Sequence, residues 1–297
     1  MSTPDSPYTV EIGADRVRVH YQDIEDPRVR SEERFDELGY EYAPYAWFDG
    51  NAPKQTPSVL DALRVELGEE ERDRYRRAGT DLADAMRETL AQLRPHWSEY
   101  DAAAELVGRA HRRGFTTPVV LAAGHERQRV HRHPLPTAAE LGRHALLAIT
   151  AERDGLYVSM TRLVSFGPPP DELARLVRAC AEVDAAYLAA SRPGRTLGEV
   201  FAVGADAYAA QGFPEEWRGH HQGGLTGYKG REVFAVPGAG TRIPDSAALA
   251  WNPSITGGAK SEDTVLVSAE GVEVVTRTPG LGEIETAFLP RPGVVEL

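Results

Sequence analysis

Apolar residues at Tyr75, Ala78, Leu82, Ala85, Met86, Leu90 and Leu93 recur at intervals of three and four. That is the spacing of one helical face, so the first long element is a helix, ended by Pro95. Ser98 and Asp101 open a second helix running to Gly114, a residue suited to a left-handed cap. The period then changes. Thr117 to Ala122 is β-branched and apolar, and Ala145 to Ala151 with Leu156 to Ser165 predicts a hairpin folded about Asp154-Gly155. A helix from Pro170 to Arg192 stops at Pro193-Gly194, and Thr196 with Glu199 caps another that ends at Gly212. From Trp217 onward strands and loops alternate, including strands at Leu249 to Asn252 and Thr264 to Val267.

The halves echo one another: a helix ending in Gly114-Phe115 precedes a strand, and one ending in Gly212-Phe213 precedes a run with two histidines. Two helices followed by antiparallel strands, twice over, predict an α+β sandwich. In it a pseudo-symmetric curved sheet wraps a central cleft and helices cover its outside. The chain divides near Leu67-Gly68. Residues 1–67 are rich in Pro, Asp and Tyr with short strand-like pieces at Tyr8 to Ile12 and Val17 to Val19, and predict a small irregular N-terminal region before a main domain over 68–297.

Composition narrows the chemistry. At 297 residues and 41% hydrophobic content the chain can bury a large core. A formal charge of -12 repels a phosphate backbone, so nucleic acid is not an expected partner. The one cysteine, Cys180, forms no intrachain disulfide, and its place in a helical pattern predicts a buried thiol more than a nucleophile. There is no apolar signal core at the start, and Ala145 to Ile149 is too short to cross a bilayer. The expectation is a cytoplasmic protein with no membrane partner.

The candidate chemistry centres on RGHHQGGLTGY, residues 218–228. If 218–222 is extended, His220 and His221 point to opposite faces and only one looks into a cleft. The glycines after them either let backbone approach a ligand or bend a curved sheet. Lys260 and Glu262, two apart on a strand, share a face; they either bind a carboxylate and act on a proton, or form a salt-bridged strand end.

From about Glu69 to Thr276 the chain resembles the pita-bread family of creatinase, aminopeptidase P, prolidase and methionine aminopeptidase. The matching pieces are HRHPLPT (131–137), the hairpin ending in MTR (160–162), the RPG turn (192–194), HHQGG (220–224), WNP (251–253) and KSEDTVLV (260–267). Residues 1–67 resemble a shortened remnant of the N-terminal domain of creatinase and aminopeptidase P. The resemblance implies the pita-bread fold, a homodimer, and two metal ions on two aspartates, one histidine and two glutamates. Those five positions fall here on Ala148 or a near neighbour, Ser159, His221, Asn252 and Glu262. Only His221 and Glu262 keep the ligand type.

Two divalent ions bring four positive charges, and one carboxylate cannot balance them in a cleft. A mononuclear site needs about three protein ligands, so His131, His133 or His220 would have to join His221 and Glu262. The expectation is therefore no cofactor, with a single divalent metal as the lesser alternative. Creatinase supplies a metal-free precedent. Its histidine in a His-x-Pro-like loop corresponds to His131, or to His133 if the loop is shorter by two, while Thr161 stands where it has an acidic residue. Tyr228, Asn252, Ser159, Arg162 and Lys260 complete a polar cleft suited to a zwitterionic small molecule.

Two function classes stay open. One is a metal-independent or weakly metal-dependent hydrolase or lyase acting on a small amino-acid-like substrate, with His131 or His133 and His221 as acid/base groups and Glu262 as base or substrate anchor. The other is a non-catalytic relative that binds a ligand or partner through the cleft. A mononuclear Xaa-Pro-type aminopeptidase ranks third.

Overall fold

The computed structural model describes residues 8–12, 16–22, 30, 41–45 and 64–297. In the N-terminal part β1 (Tyr8–Ile12) pairs antiparallel with β2 (Val17–Gln22), which pairs parallel with β3 (Glu41–Tyr45). The remainder of residues 1–63, and with it most of the expected N-terminal region, lies outside the described residues.

From Gly68 the predicted order of elements is observed. Helix α1 (Glu69–Leu90) buries Tyr75, Ala78, Leu82, Ala85, Met86 and Leu90, the face read from the periodicity, but stops one turn before Pro95. Ser98 and Asp101 form a reciprocal capping box at the start of α2 (Glu99–Arg112). Both helices pack on a sheet of order β16-β6-β5-β4, made of β4 (Thr116–Gly124), β5 (His144–Arg153), β6 (Leu156–Ser165) and the C-terminal β16 (Val294–Glu296). The β5–β6 hairpin pairs Arg153 with Leu156 across a two-residue turn, with Asp154 at φ 54° and Gly155 at φ 82°. Two consecutive positive φ values are what a type I′ turn requires, and Asp-Gly supplies them at low steric cost.

The second half repeats the plan. Helices α3 (Asp171–Ala190) and α4 (Leu197–Ala210, capped by Thr196 and Glu199) cover a sheet of order β13-β12-β9-β7-β8. Its strands are β7 (Gly223–Thr226), β8 (Val233–Phe234), β9 (Ala247–Trp251), β12 (Asp263–Ser268) and β13 (Gly271–Val274). Two short pairs complete the half: β10 (Ser254–Ile255) with β11 (Ala259–Lys260), and β14 (Glu283–Ile284) with β15 (Arg291–Pro292). Buried Trp251 stacks on Tyr187 of α3 at 4.4 Å between ring centroids and donates to Ser191 Oγ, contributing about 1 kcal/mol beyond its area. Gly204 of α4 has Tyr187 ring atoms within 2.0 Å of where a Cβ would stand, so the two helices approach as closely as they do only with glycine there.

The sheets meet where β6 runs beside β12. Thr161 N donates to Glu262 O, and Ser159 N donates to Thr264 Oγ1, whose hydroxyl in turn donates to Ser159 O. Two of the positions that the family resemblance singled out, Ser159 and Glu262, therefore lie on this seam.

Candidate active-site cleft

The segment before β7 is not uniformly extended. A 3-10 turn, Glu216–Gly219, comes first, and only then does the backbone straighten, with His220 at φ -170° and ψ 168°. The turn holds Glu216 against Arg132, whose guanidinium also donates to Ser254 Oγ at 2.9 Å and Thr256 Oγ1 at 2.7 Å. Loop 131–133 is thereby tied to the second half. Gly223 (φ 112°) and Gly224 (φ 147°) follow; a Cβ on the first would sit 2.1 Å from Ala250 O and on the second 2.1 Å from Val233 O. These glycines serve the bend and close strand contact of the sheet.

His220 is fully buried. Its Nδ1–H donates to His221 O at 2.5 Å, which leaves Nε2 to accept from Ser254 Oγ at 2.6 Å. Burial first, then Lys260 and Arg132, holds this imidazole well below its ordinary pKa, so it is a neutral structural histidine. His221 turns the other way, packs edge to face on Phe234 at 4.9 Å, and keeps a buried Nδ1 with no hydrogen bond among the described residues. Burial, then Arg231, His133 and Lys260, pushes its pKa well down. His133 lies 5.8 Å from His220 and 5.9 Å from His221, ring to ring, so the member of the HRH run beside the pair is His133. His131 instead lines a cavity of about 30 Å³ with Leu146, Ser254 and Lys260.

Glu262 is spoken for by protein. Thr161 Oγ1 donates to its Oε2 at 2.8 Å, and Arg231 Nη2 donates to its Oε1 at 3.2 Å; both members of the ion pair are 8% exposed at the side chain. Arg231 comes from the loop between β7 and β8, and Gly230 before it lies against Thr150 and Tyr157 of the first sheet. Sequence reasoning missed it, because a loop arginine carries no periodic signal and its target is 31 residues away. Lys260 is 3% exposed, makes no hydrogen bond to a described residue, and has its pKa lowered by burial against the opposing pull of Glu262. Asn252 is 3% exposed with Oδ1 unpartnered. Ser159 Oγ pairs with Thr150 Oγ1 at 2.9 Å, and Ala148 packs with Leu121 and Leu146. Among the described residues no three His, Cys, Asp or Glu side chains come together in a way that could hold a metal ion.

Two of the residues expected to bind substrate are engaged by protein. Arg162 alternates to the face opposite Thr161, where it donates to Thr278 Oγ1, Thr161 O, Asp263 Oδ1 and Thr276 O at 2.7–2.8 Å. That buried guanidinium organises the sheet junction, because strand alternation sends it away from the cleft. Tyr228 reaches α1 instead, its hydroxyl 3.0 Å from Arg74 Nη2 and 3.3 Å from Glu71 Oε1. Cys180 is buried with its thiol donating to Pro253 O, and burial raises its pKa, as an inert thiol requires.

Two curved sheets joined edge to edge, helices outside and a polar seam inside define the pita-bread class, and the chain belongs to metallopeptidase family M24, whose model matches residues 73–269. It is 27% identical over 232 residues to the Bacillus subtilis (strain 168) protein named uncharacterized peptidase YqhT, covering 74% of this chain and 64% of that protein. It is 34% identical over 116 residues to agropine synthesis cyclase of Rhizobium rhizogenes, covering 37% of this chain and 28% of the cyclase. Among solved structures, Xaa-Pro dipeptidase from Bacillus anthracis superposes with a TM-score of 0.70 at 18% identity, covering 98% of this chain and 89% of that one. Prolidase from Pyrococcus furiosus gives 0.67 at 16% identity, over 93% and 92%. At these identities the superpositions establish the fold. Among the described residues no helix is long and apolar enough to cross a membrane.

Proposed function

We propose that the cleft acts without metal on a small amino-acid-like substrate, as a hydrolase or lyase that uses His221 for proton transfer and internal cations for charge stabilisation. The observation that carries this reading is the Arg231–Glu262 ion pair. The family's dinuclear centre needs carboxylates, and here the surviving one already neutralises a buried arginine, while Ala148, Ser159 and Asn252 supply no anion. Two divalent ions do not fit this donor set, and with Arg231 and Lys260 nearby they would face like charge instead of compensation.

The roles follow from the environment of each side chain. His221, held neutral, offers a lone pair and takes a proton without first having to lose one. His133 stands within a ring's breadth to share hydrogen bonding with it. Arg231 and Lys260 stabilise a substrate carboxylate or a developing oxyanion in a site of low dielectric. Glu262, engaged on both oxygens, serves to aim Arg231 more than to take a proton, which modifies the role expected from its place in the SED run. Unpartnered Asn252 Oδ1 and His221 Nδ1 are groups a bound ligand would satisfy, since buried polar atoms cost free energy when left alone. The partial match to a cyclase supports chemistry other than peptide hydrolysis within this family.

The occupied oxygens of Glu262 also favour a second reading, a ligand-binding cleft without turnover. One set of measurements separates the readings. Elemental analysis of the purified chain is expected to find substoichiometric transition metal, and a thermal-shift screen of amino-acid derivatives to find ligands lost in His221→Ala and Arg231→Gln. Turnover of such a ligand that survives chelator supports the enzyme. Binding without turnover supports the second reading, and two tight metals with Xaa-Pro hydrolysis would overturn both.

A further inference from the structure

Along β5 the residues His144, Leu146, Ala148 and Thr150 share one face, because strand side chains alternate. Ala148 and Thr150 floor the cleft, Leu146 lines the small cavity with Lys260, and His144 lines a larger cavity of about 290 Å³. The two cavities share Arg129 and Gly257, so they lie side by side near the N-terminal end of β5.

The larger cavity is lined by His125, Glu126, Arg129, Arg143, His144 and Glu172, among others. Neither the Arg129 nor the Arg143 guanidinium bonds to a described residue, although arginines elsewhere in the chain are mostly paired with carboxylates. His144 is 6% exposed; its Nδ1–H donates to Gln128 Oε1 at 3.1 Å, and Gln128 is fixed in turn by donating to Gly258 O at 2.7 Å. That network holds the ring in place and leaves Nε2 with no hydrogen bond among the described residues. Of the two carboxylates, Glu126 faces His125 at 2.9 Å, and Glu172, at the start of α3, has no ion-pair partner among the described residues. Two uncommitted guanidinium groups thus outweigh one uncommitted carboxylate around a buried, unsatisfied imidazole.

We propose that this cavity is an oxyanion-binding subsite, taking a carboxylate or phosphate-like group between Arg129, Arg143 and His144. Planar guanidinium forks match two oxygens at once, and the cavity approaches the volume of a small-ligand site. The site stands independently of whatever chemistry the cleft performs. Burial, then His125, Arg143 and Arg129, lowers the His144 pKa to about 4, with Glu126 opposing. An anion placed among these groups raises it again, so binding takes up a proton as pH falls.

The test is calorimetric titration of the full chain with sulfate and, separately, with succinate, which distinguishes an inorganic oxyanion from a carboxylate ligand. Saturable binding of at least one is expected, weakened about tenfold in Arg143→Gln and Arg129→Gln, whose exposed side chains can change without unfolding the protein. Glu172→Gln should tighten binding. Sulfate keeps its charge over this range, so tighter binding and proton uptake between about pH 7 and about pH 5 report on His144. Absence of saturable binding by either anion overturns the proposal. So does binding that is abolished by Lys260→Gln yet kept in Arg143→Gln, because the anion would then sit in the cleft.

Discussion

The two sheets share a plan and divide the chemistry unevenly. What β5 and β6 turn toward the cleft is a methyl and hydroxyls: Ala148, Thr150, Ser159 and Thr161. The second half contributes His221, Arg231, Asn252, Lys260 and Glu262, whereas the charged side chain that β6 brings to the junction, Arg162, leaves from the opposite face to Thr161. The first half is nonetheless well packed: β5 is buried along most of its length, and α1 and α2 lie on its sheet. Fold is held by apolar area, which is insensitive to one carboxylate more or less, whereas a metal site depends on all of its ligands at once. The shape of a half therefore does not depend on which polar groups it turns toward the cleft.

The comparison can be broken at several points. The largest effect should come from Arg162→Met, which leaves Asp263 short of a buried partner at the junction of the halves. A loss of about 4 kcal/mol in denaturant unfolding is expected, and a loss under about 1 would mean the junction is not where the halves are joined. Next is Ala148→Asp, which restores a carboxylate to the first half. Beside Leu121 and Leu146 it should cost about 3 kcal/mol, and added manganese or zinc should not recover it; metal rescue would show that the first half still supports a centre. Thr196→Ala removes one reciprocal cap in the second half and should cost about 1 kcal/mol, matched by Ser98→Ala in the first if the halves are built alike. The smallest effect at neutral pH concerns the histidines. His144, His220 and His221 all have folded pKa values depressed below the unfolded value, so the stability their neutral forms contribute is present above about pH 6.5 and is lost as pH falls toward the folded values. Melting temperature should stay level above that pH and fall by several degrees toward about pH 5.

Helix faces, both capping boxes and the Asp154-Gly155 turn were legible in the sequence because each is a local preference that the tertiary structure does not overrule. The cleft was half legible. His221 and Glu262 stood out by their place in family motifs, and Ser159 and Asn252 by departing from them. Arg231 was invisible, since nothing in Lys229-Gly230-Arg231 says which carboxylate a loop arginine will find across the fold. Where Arg162 and Tyr228 point was not legible either: strand alternation sends Arg162 into the sheet junction, the sheet-organising alternative to its cleft role, and Tyr228, in the loop after β7, reaches Arg74 and Glu71 of α1. Short pairs such as β10 with β11 carry too few residues for a period to register.

The last strand, β16, runs parallel to β6 and covers its outer edge, reached through Arg291, which is clasped by Asp184 and Asp263. Until that segment arrives, the buried β5–β6 hairpin offers an open ladder to any strand that drifts past. Before these residues dock, self-association through that edge competes with folding. Chains shortened before Arg291 should therefore accumulate as aggregates while the full chain does not, which makes the tail a guard on solubility instead of a contributor to the cleft.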